Sequence, residues 1–183
     1  MRIVTKDGKN VVIRRPVEAD AANIITYAKE LFASTDQLLT TLIEYSITEE
    51  DEKAWIKKSH QNTNTLILIA EHEAQVIGLL DFSPKAKLKN RHTGEFGVSV
   101  DANFQRCGIG KALIEVMLQW AQNNDQIEKV FLNVFHTNLV AIKLYSDMGF
   151  IEEGRLVRAA KQPSGEYVDI IQMYKLVKRP DEI

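Results

Sequence analysis

Apolar positions along the chain change period several times, and each change marks an element. Two short apolar runs, Ile3–Lys6 and Lys9–Ile13, flank Asp7-Gly8. An Asp-Gly pair tolerates the positive φ angles of a tight turn, so a hairpin is predicted, with Pro16 ending its second strand. Between Glu18 and Ala33, Ile24, Tyr27, Ala28 and Leu31 recur at helical spacing. Thr48, followed three residues later by Asp51, resembles a capping box with a shortened acid and predicts a helix from Glu49 to about Gln61. The segment between these helices, Gln37–Ser46, carries neither period.

The second half alternates strands and helices. Thr65–Ala70 is an isoleucine-rich apolar run of the kind buried on both faces. After a polar turn at His72–Gln75, Val76–Phe82 completes a second hairpin. Pro84–Arg91 carries Lys85, Lys87, Lys89 and Arg91 and is expected to be a solvated basic loop. Glu95–Val100 alternates like a strand. Gly108–Asn123 is the clearest helix, with Ile109, Leu113, Val116, Met117 and Trp120 on one apolar face. Val130–Val134 is a strand, and Asn138–Met148 a helix ended by Gly149. Phe150–Leu176 reads as two strands joined around Gln162–Gly165. Such alternation, without repeat or linker, predicts one α/β domain with helices on both faces of a mixed sheet.

Composition narrows the class. Of 183 residues, 45% are hydrophobic and 26% charged, which excludes a disordered chain, a collagen-like fibre and a membrane bundle. A formal net charge of -2 supplies no global basic field, so neither nucleic acid nor membrane is expected as a partner. The lone cysteine, Cys107, cannot form an intrachain disulfide, which fits a reducing compartment. The charged Met1–Asp7 start lacks a signal-peptide core, and no apolar run approaches the roughly 20 residues that span a bilayer. A cytoplasmic location is therefore expected. Four histidines and one cysteine show no metal-ligand spacing, so no metal is expected.

Chemistry concentrates in Val98–Lys111: a strand, a short polar loop, Gly108 and Gly110, then the long helix. Amides in a helix's first turn lack intrahelical partners and, with the helix dipole, make an anion site suited to phosphate. Glycines allow close backbone approach, and Arg106 and Lys111 add positive charge. The dinucleotide fingerprint fails because Leu113 stands where its third glycine belongs. The ATP-type phosphate loop fails at Gln105 and Ala112. Two glycines alone are also what a tight strand-to-helix turn needs.

The string Gln105-Arg106-Cys107-Gly108-Ile109-Gly110 resembles the Gln/Arg-x-x-Gly-x-Gly/Ala signature of the GNAT superfamily of N-acetyltransferases. A second block, Asn138-x-x-Ala141-x-x-x-Tyr145-x-x-x-Gly149-Phe150, is similar to that family as well, one helix and one strand further on. The resemblance covers nearly the whole chain. It implies a single N-acetyltransferase domain over 1–183, with a mixed, mostly antiparallel sheet of six to seven strands. It also implies acetyl-CoA as cosubstrate. The strand residues Val98, Ser99 and Val100 would pair with the pantetheine arm, and the amides of Arg106, Cys107, Gly108, Ile109, Gly110 and Lys111, with Gln105 leading the loop, would hold the pyrophosphate. Asn138 would hydrogen-bond the pantetheine, although asparagine is also a favoured helix N-cap. Ala141 would leave room for the cofactor, and Tyr145 would stabilise or protonate the leaving thiolate, with a half-buried core tyrosine as the alternative.

The implied reaction is direct attack of a primary amine on the thioester. A lysine-type amine, with a pKa of about 10.4, must lose a proton before it can attack. Glu95 is the candidate base, directly or through water, and an ordinary solvent-facing strand glutamate is the alternative. Ribosomal-protein N-terminal acetyltransferases, similar around the loop, can carry a glutamate base on the next strand, where this chain has Asn133. His92, beside the basic loop, and His136, just before the Asn138 helix, are candidates to touch substrate or cofactor phosphate, although a lone histidine is more often a surface or capping residue. Cys107 is not expected to be a nucleophile, because the reaction needs no acyl-enzyme. Expected acceptors are a small-molecule amine or a peptide N-terminus; a homodimer stays open. A non-catalytic acyl-CoA sensor and a nucleotide-phosphate binder are the alternatives.

Overall fold

Gly8 takes φ +83°, and the turn it forms pairs β1 (Arg2–Val4) with β2 (Asn10–Arg14) as the Asp-Gly signal predicts. The computed structural model describes residues 1–178. After β2 the chain makes one 3-10 turn and enters α1 (Ala21–Ser34). The turn is tied to the sheet by Arg14, whose guanidinium grips both Asp20 oxygens at 2.7 and 2.8 Å. The capping box is present: the Asp51 amide donates to Thr48 Oγ1 and the Thr48 amide to Asp51 Oδ2, opening α2 (Glu49–Gln61).

The remaining elements are β3 (Leu66–His72), β4 (Gln75–Pro84), β5 (Thr93–Val100), α3 (Ile109–Gln122), β6 (Lys129–Phe135), α4 (Leu139–Asp147), β7 (Ile151–Lys161) and β8 (Tyr167–Leu176). All strands join one sheet in the order β1-β2-β3-β4-β5-β6-β8-β7. Only β5 and β6 run parallel; every other neighbouring pair is antiparallel. Among the described residues the sheet thus has eight strands, not six to seven. The first hairpin is built into it rather than laid across it, because Val11 and Ile13 are core residues and β2 pairs with β3.

Helices cover both faces. Ala21, Ile24, Tyr27 and Ile56 of α1 and α2 pack on Ile69 and Val76. Ile109, Leu113, Ile114 and Met117 of α3, with Tyr145 of α4, pack on Leu66, Leu68, Leu80 and Phe82 from the other side. Alternate residues of β3 therefore face different helix layers, which is why Leu66–Ala70 is buried throughout. Along α3 the buried face is completed by Ala112, Ile114 and Ala121, while the predicted Val116 and Trp120 are only half-buried. The basic loop also departs from expectation at one residue. Lys85 pairs with Glu95 and lies 4.8 Å from the centre of the Phe131 ring, whereas Lys87, Lys89 and Arg91 are exposed.

Candidate active site

The parallel pairing of β5 with β6 runs from Thr93↔Lys129 to Glu95↔Phe131 and stops there. Beyond it, β5 stays paired with β4 through Val100, and β6 stays paired with β8 through Phe135. The two strands separate between these points. The edge of Phe96–Val100 that turns away from β4 has no strand partner among the described residues. The side chains there serve the scaffold: Val98 and Val100 pack against the core, and Ser99 Oγ accepts a 2.9 Å hydrogen bond from Tyr27.

β5 leads into the phosphate-type loop. Asp101 Oδ1 accepts from the Asn103 amide at 2.7 Å, setting one 3-10 turn. Gln105 Nε2 reaches back to the Val100 carbonyl at 3.3 Å. Arg106 takes φ +60° and Gly108 φ +91°, so the chain reverses into the first turn of α3. Gly108 is the position where left-handed backbone requires glycine. Gly110 has ordinary helical backbone, and a Cβ there would stand 3.7 Å from Leu144 and Val100. The first intrahelical bond is Ala112 N–H to Gly108 at 3.0 Å. The amides of Arg106 through Lys111 therefore donate to no protein acceptor among the described residues. Arg106 is exposed, and Lys111 lies 3.6 Å from Glu115. This run of free amides fits a pyrophosphate.

On α4, Asn138 Oδ1 caps the helix by accepting from the Ala141 amide at 3.2 Å. Ala141 and Tyr145 follow along the same face. Tyr145 is 7% exposed, burial pushes its phenol up to about 12, and its hydroxyl makes no hydrogen bond among the described residues. Its ring stands edge-on to Phe96, centres 6.2 Å apart.

A cavity of about 500 Å³ occupies the wedge on the α1 side of the sheet. Gln37, Leu38 and Leu39 of the segment between α1 and α2 line it, with Phe96, Phe135, Leu156 and Ile170 from the sheet. That segment is held in place by Thr137, whose hydroxyl donates to Gln37 at 3.2 Å, and by Gln162, which donates to the Asp36 carbonyl at 3.0 Å. The turn near Gly165 thus braces the cavity, and β7 supplies the wall. Tyr145 is outside this cavity, one ring beyond it across Phe96.

Glu95 lines the cavity and is held at both oxygens: Asn133 Nδ2 donates to Oε1 at 2.7 Å, and Lys85 Nζ to Oε2 at 3.1 Å. Gln172 Nε2 donates to Asn133 Oδ1 at 3.3 Å, which fixes the orientation of that amide. Asn133 is thus a partner of Glu95 rather than a replacement base. His136 Nδ1 accepts from the Asp169 amide at 3.0 Å and serves β8; the His92 carbonyl anchors the Glu128 and Lys129 amides.

Sequence reasoning missed Asp81. It sits on β4 opposite Gly97, lines the cavity beside Glu95, and makes no hydrogen bond to another described residue. Burial, and secondarily the charge of Glu95, push its carboxyl up to about 6. The available signal was a single acid inside the apolar run Val76–Phe82. No grouping of acids, histidines and cysteine among the described residues is placed to hold a metal ion. No helix among the described residues is long and apolar enough to cross a membrane.

Comparison with known proteins agrees with this geometry. The profile of the Acetyltransferase (GNAT) family matches residues 30–150. The chain is 26% identical over 166 residues to the L-amino acid N-acetyltransferase AaaT of Escherichia coli strain K12, covering 91% of this chain and 98% of that one. It is 28% identical over 133 residues to the spermidine N(1)-acetyltransferase of Vibrio cholerae, covering 72% of this chain and 75% of that one. Among solved structures, a GNAT-family acetyltransferase from Streptococcus pneumoniae superposes with a TM-score of 0.88 at 25% identity, covering 91% of this chain and 99% of that one. The fold also matches the putative acetyltransferase yncA of Salmonella typhimurium, solved with acetyl-CoA (TM-score 0.82, 19% identity, 93% and 95% coverage). The chain belongs to the GNAT acetyltransferase family. Its class of activity is acetyl-CoA-dependent N-acyl transfer.

Proposed function

We propose that the protein transfers the acetyl group of acetyl-CoA to a primary amine by direct attack, with residues 1–183 acting as one N-acetyltransferase domain. Positions 179–183 of that span lie outside the described residues. The observation that carries this reading is the wedge between β5 and β6, which leads at its end into the free amides of Arg106–Lys111. Relatives named for acetylation of L-amino acids and of spermidine support an amine as acceptor.

In this reading the unpaired edge of Val98–Val100 and the side chain of Asn138 hold the pantetheine arm. The amide run holds the pyrophosphate. Asn138 spends Oδ1 on its cap, which leaves its Nδ2 as the donor. The amine nitrogen forms a bond to the thioester carbonyl carbon, and the C–S bond breaks. The proton lost from nitrogen goes to Glu95, directly or through water. Tyr145 meets the departing thiolate. A phenol held near 12 is a far weaker acid than an ordinary thiol at about 8.5, so Tyr145 donates a hydrogen bond to the thiolate rather than its proton.

The experiment is thiol release from acetyl-CoA by the purified protein across primary amines, with the acetylated product identified by mass. Amine-dependent release with matching product is expected. Tight acetyl-CoA binding with no release over the whole amine panel contradicts the reading and favours a sensor.

A further inference from the structure

The acceptor side of the wedge carries two carboxylates, and they are not equivalent. Glu95 has both oxygens engaged, by Asn133 and by Lys85. Asp81 has no partner among the described residues, yet it lines the same cavity. Gly97, directly opposite on β5, keeps the space before it open: a Cβ at Gly97 would stand 3.2 Å from Asp81 Oδ1. No lysine, arginine or histidine among the described residues lines this cavity, and Lys85, outside its lining, is engaged by Glu95. Its other walls are largely apolar, formed by Leu38, Leu39, Phe135, Leu156 and Ile170.

We propose that Asp81 reads the acceptor: its carboxylate anchors the amino group of a molecule that has an apolar body and no carboxylate beside the amine. The inference rests on the acetyltransferase reading above and narrows it. A carboxylate left without a partner in a partly desolvated site is unfavourable unless a cation arrives, and an ammonium supplies both charge and donors. The upward shift of Asp81 has that cause. A free amino acid would bring its own carboxylate within a few bonds of Asp81 and Glu95. There it would meet like charge and no cationic wall residue, which is discrimination by repulsion. The apolar wall rewards an alkyl or aryl body on the amine. On this ground the acceptor class differs from the L-amino acids named for the Escherichia coli relative.

The test is calorimetric titration of CoA-saturated protein with two matched pairs: 2-phenylethylamine against L-phenylalanine, and pentylamine against L-norleucine. Each pair differs only by the carboxylate. Each amine is expected to bind at least about tenfold more tightly than its amino acid. Asp81→Asn is expected to weaken amine binding at least about tenfold while leaving CoA affinity unchanged. The same variant should melt no lower than the parent at pH 8, since it removes a buried charge; a merely structural Asp81 would lower the melting point. Gly97→Ala keeps the charge but crowds it, and should weaken the amines with the fold intact. Amino acids binding as well as the amines, amines failing to bind, or Asp81→Asn leaving amine binding unchanged overturns the inference. Thiol release is measured separately on the same amines. Asp81-dependent binding without acetyl transfer would overturn the direct-attack reading and leave Asp81 as an ammonium-binding group rather than a reader of the acceptor. Transfer without Asp81 dependence would do the reverse.

Discussion

Tyr145 is held by packing, between Phe96 and Phe150, with its hydroxyl unpaired among the described residues. Tyr145→Phe therefore removes a donor without opening a cavity. We expect kcat to fall about 10²-fold, the low end for loss of one donor to a developing negative charge, with acetyl-CoA affinity and melting temperature nearly unchanged. Unchanged kcat with lower stability would make Tyr145 a packing residue only. A second residue-scale prediction concerns Glu52, which is 6% exposed, with Oε1 buried and unpaired among the described residues. Burial pushes its carboxyl up to about 7. The folded chain thus holds this proton to higher pH than the unfolded one, so stability falls as pH rises from the ordinary carboxyl range through about 7. Glu52→Gln should be more stable than the parent by about 1–3 kcal/mol at pH 8 and nearly equal to it at pH 4.5. Equal denaturation midpoints at both pH values would contradict the assignment.

At the scale of elements, the segment proposed to hold acetyl-CoA is one strand, one loop and one helix in sequence. The loop's two glycines separate into different tasks. Gly108 supplies a left-handed backbone conformation, whereas Gly110 has ordinary helical backbone and leaves the first turn without a side chain beside Val100 and Leu144. Gly110→Asp should fold normally, because its Cβ meets only ordinary contacts and an acid in a helix's first turn is favourable. It should nonetheless weaken acetyl-CoA at least about tenfold, by adding negative charge to the helix turn that carries the free amides. A folded variant with unchanged affinity in calorimetry would remove the pyrophosphate from this loop. Elements of this kind were readable in the sequence because their determinants are local. Asp7-Gly8, the Thr48–Asp51 box and the apolar stripe of α3 each act within a few residues. The acid at Asp51, though shorter than glutamate, still reaches the Thr48 amide.

At the scale of the molecule, less was legible, because the determinants are distant. Nothing in Glu95–Val100 or Val130–Val134 states that their pairing ends at Glu95↔Phe131. That register follows from β5 keeping β4 and β6 keeping β8. Asp81 drew no reading from the sequence, because only the sheet brings Gly97 of β5 opposite it. Lys85 read as solvated until the sheet placed Glu95 and Phe131 beneath it. The family motifs point to a single continuous segment, Val98–Lys111, because the groups proposed to hold acetyl-CoA are mostly its backbone groups. The cavity proposed for the acceptor draws on the α1–α2 segment, β4, β5, β6, β7 and β8, and no local signal joins them.

The central claim is that the free edge of β5 and the amide run of α3 together hold acetyl-CoA. Hydrogen exchange with and without saturating acetyl-CoA measures this directly, because amides lacking protein acceptors exchange freely until a ligand covers them. The account predicts new protection at Arg106–Lys111 and along Phe96–Val100, with β1 and β2 unchanged. Protection absent from both segments at saturation, or confined to strands outside the wedge, would contradict it.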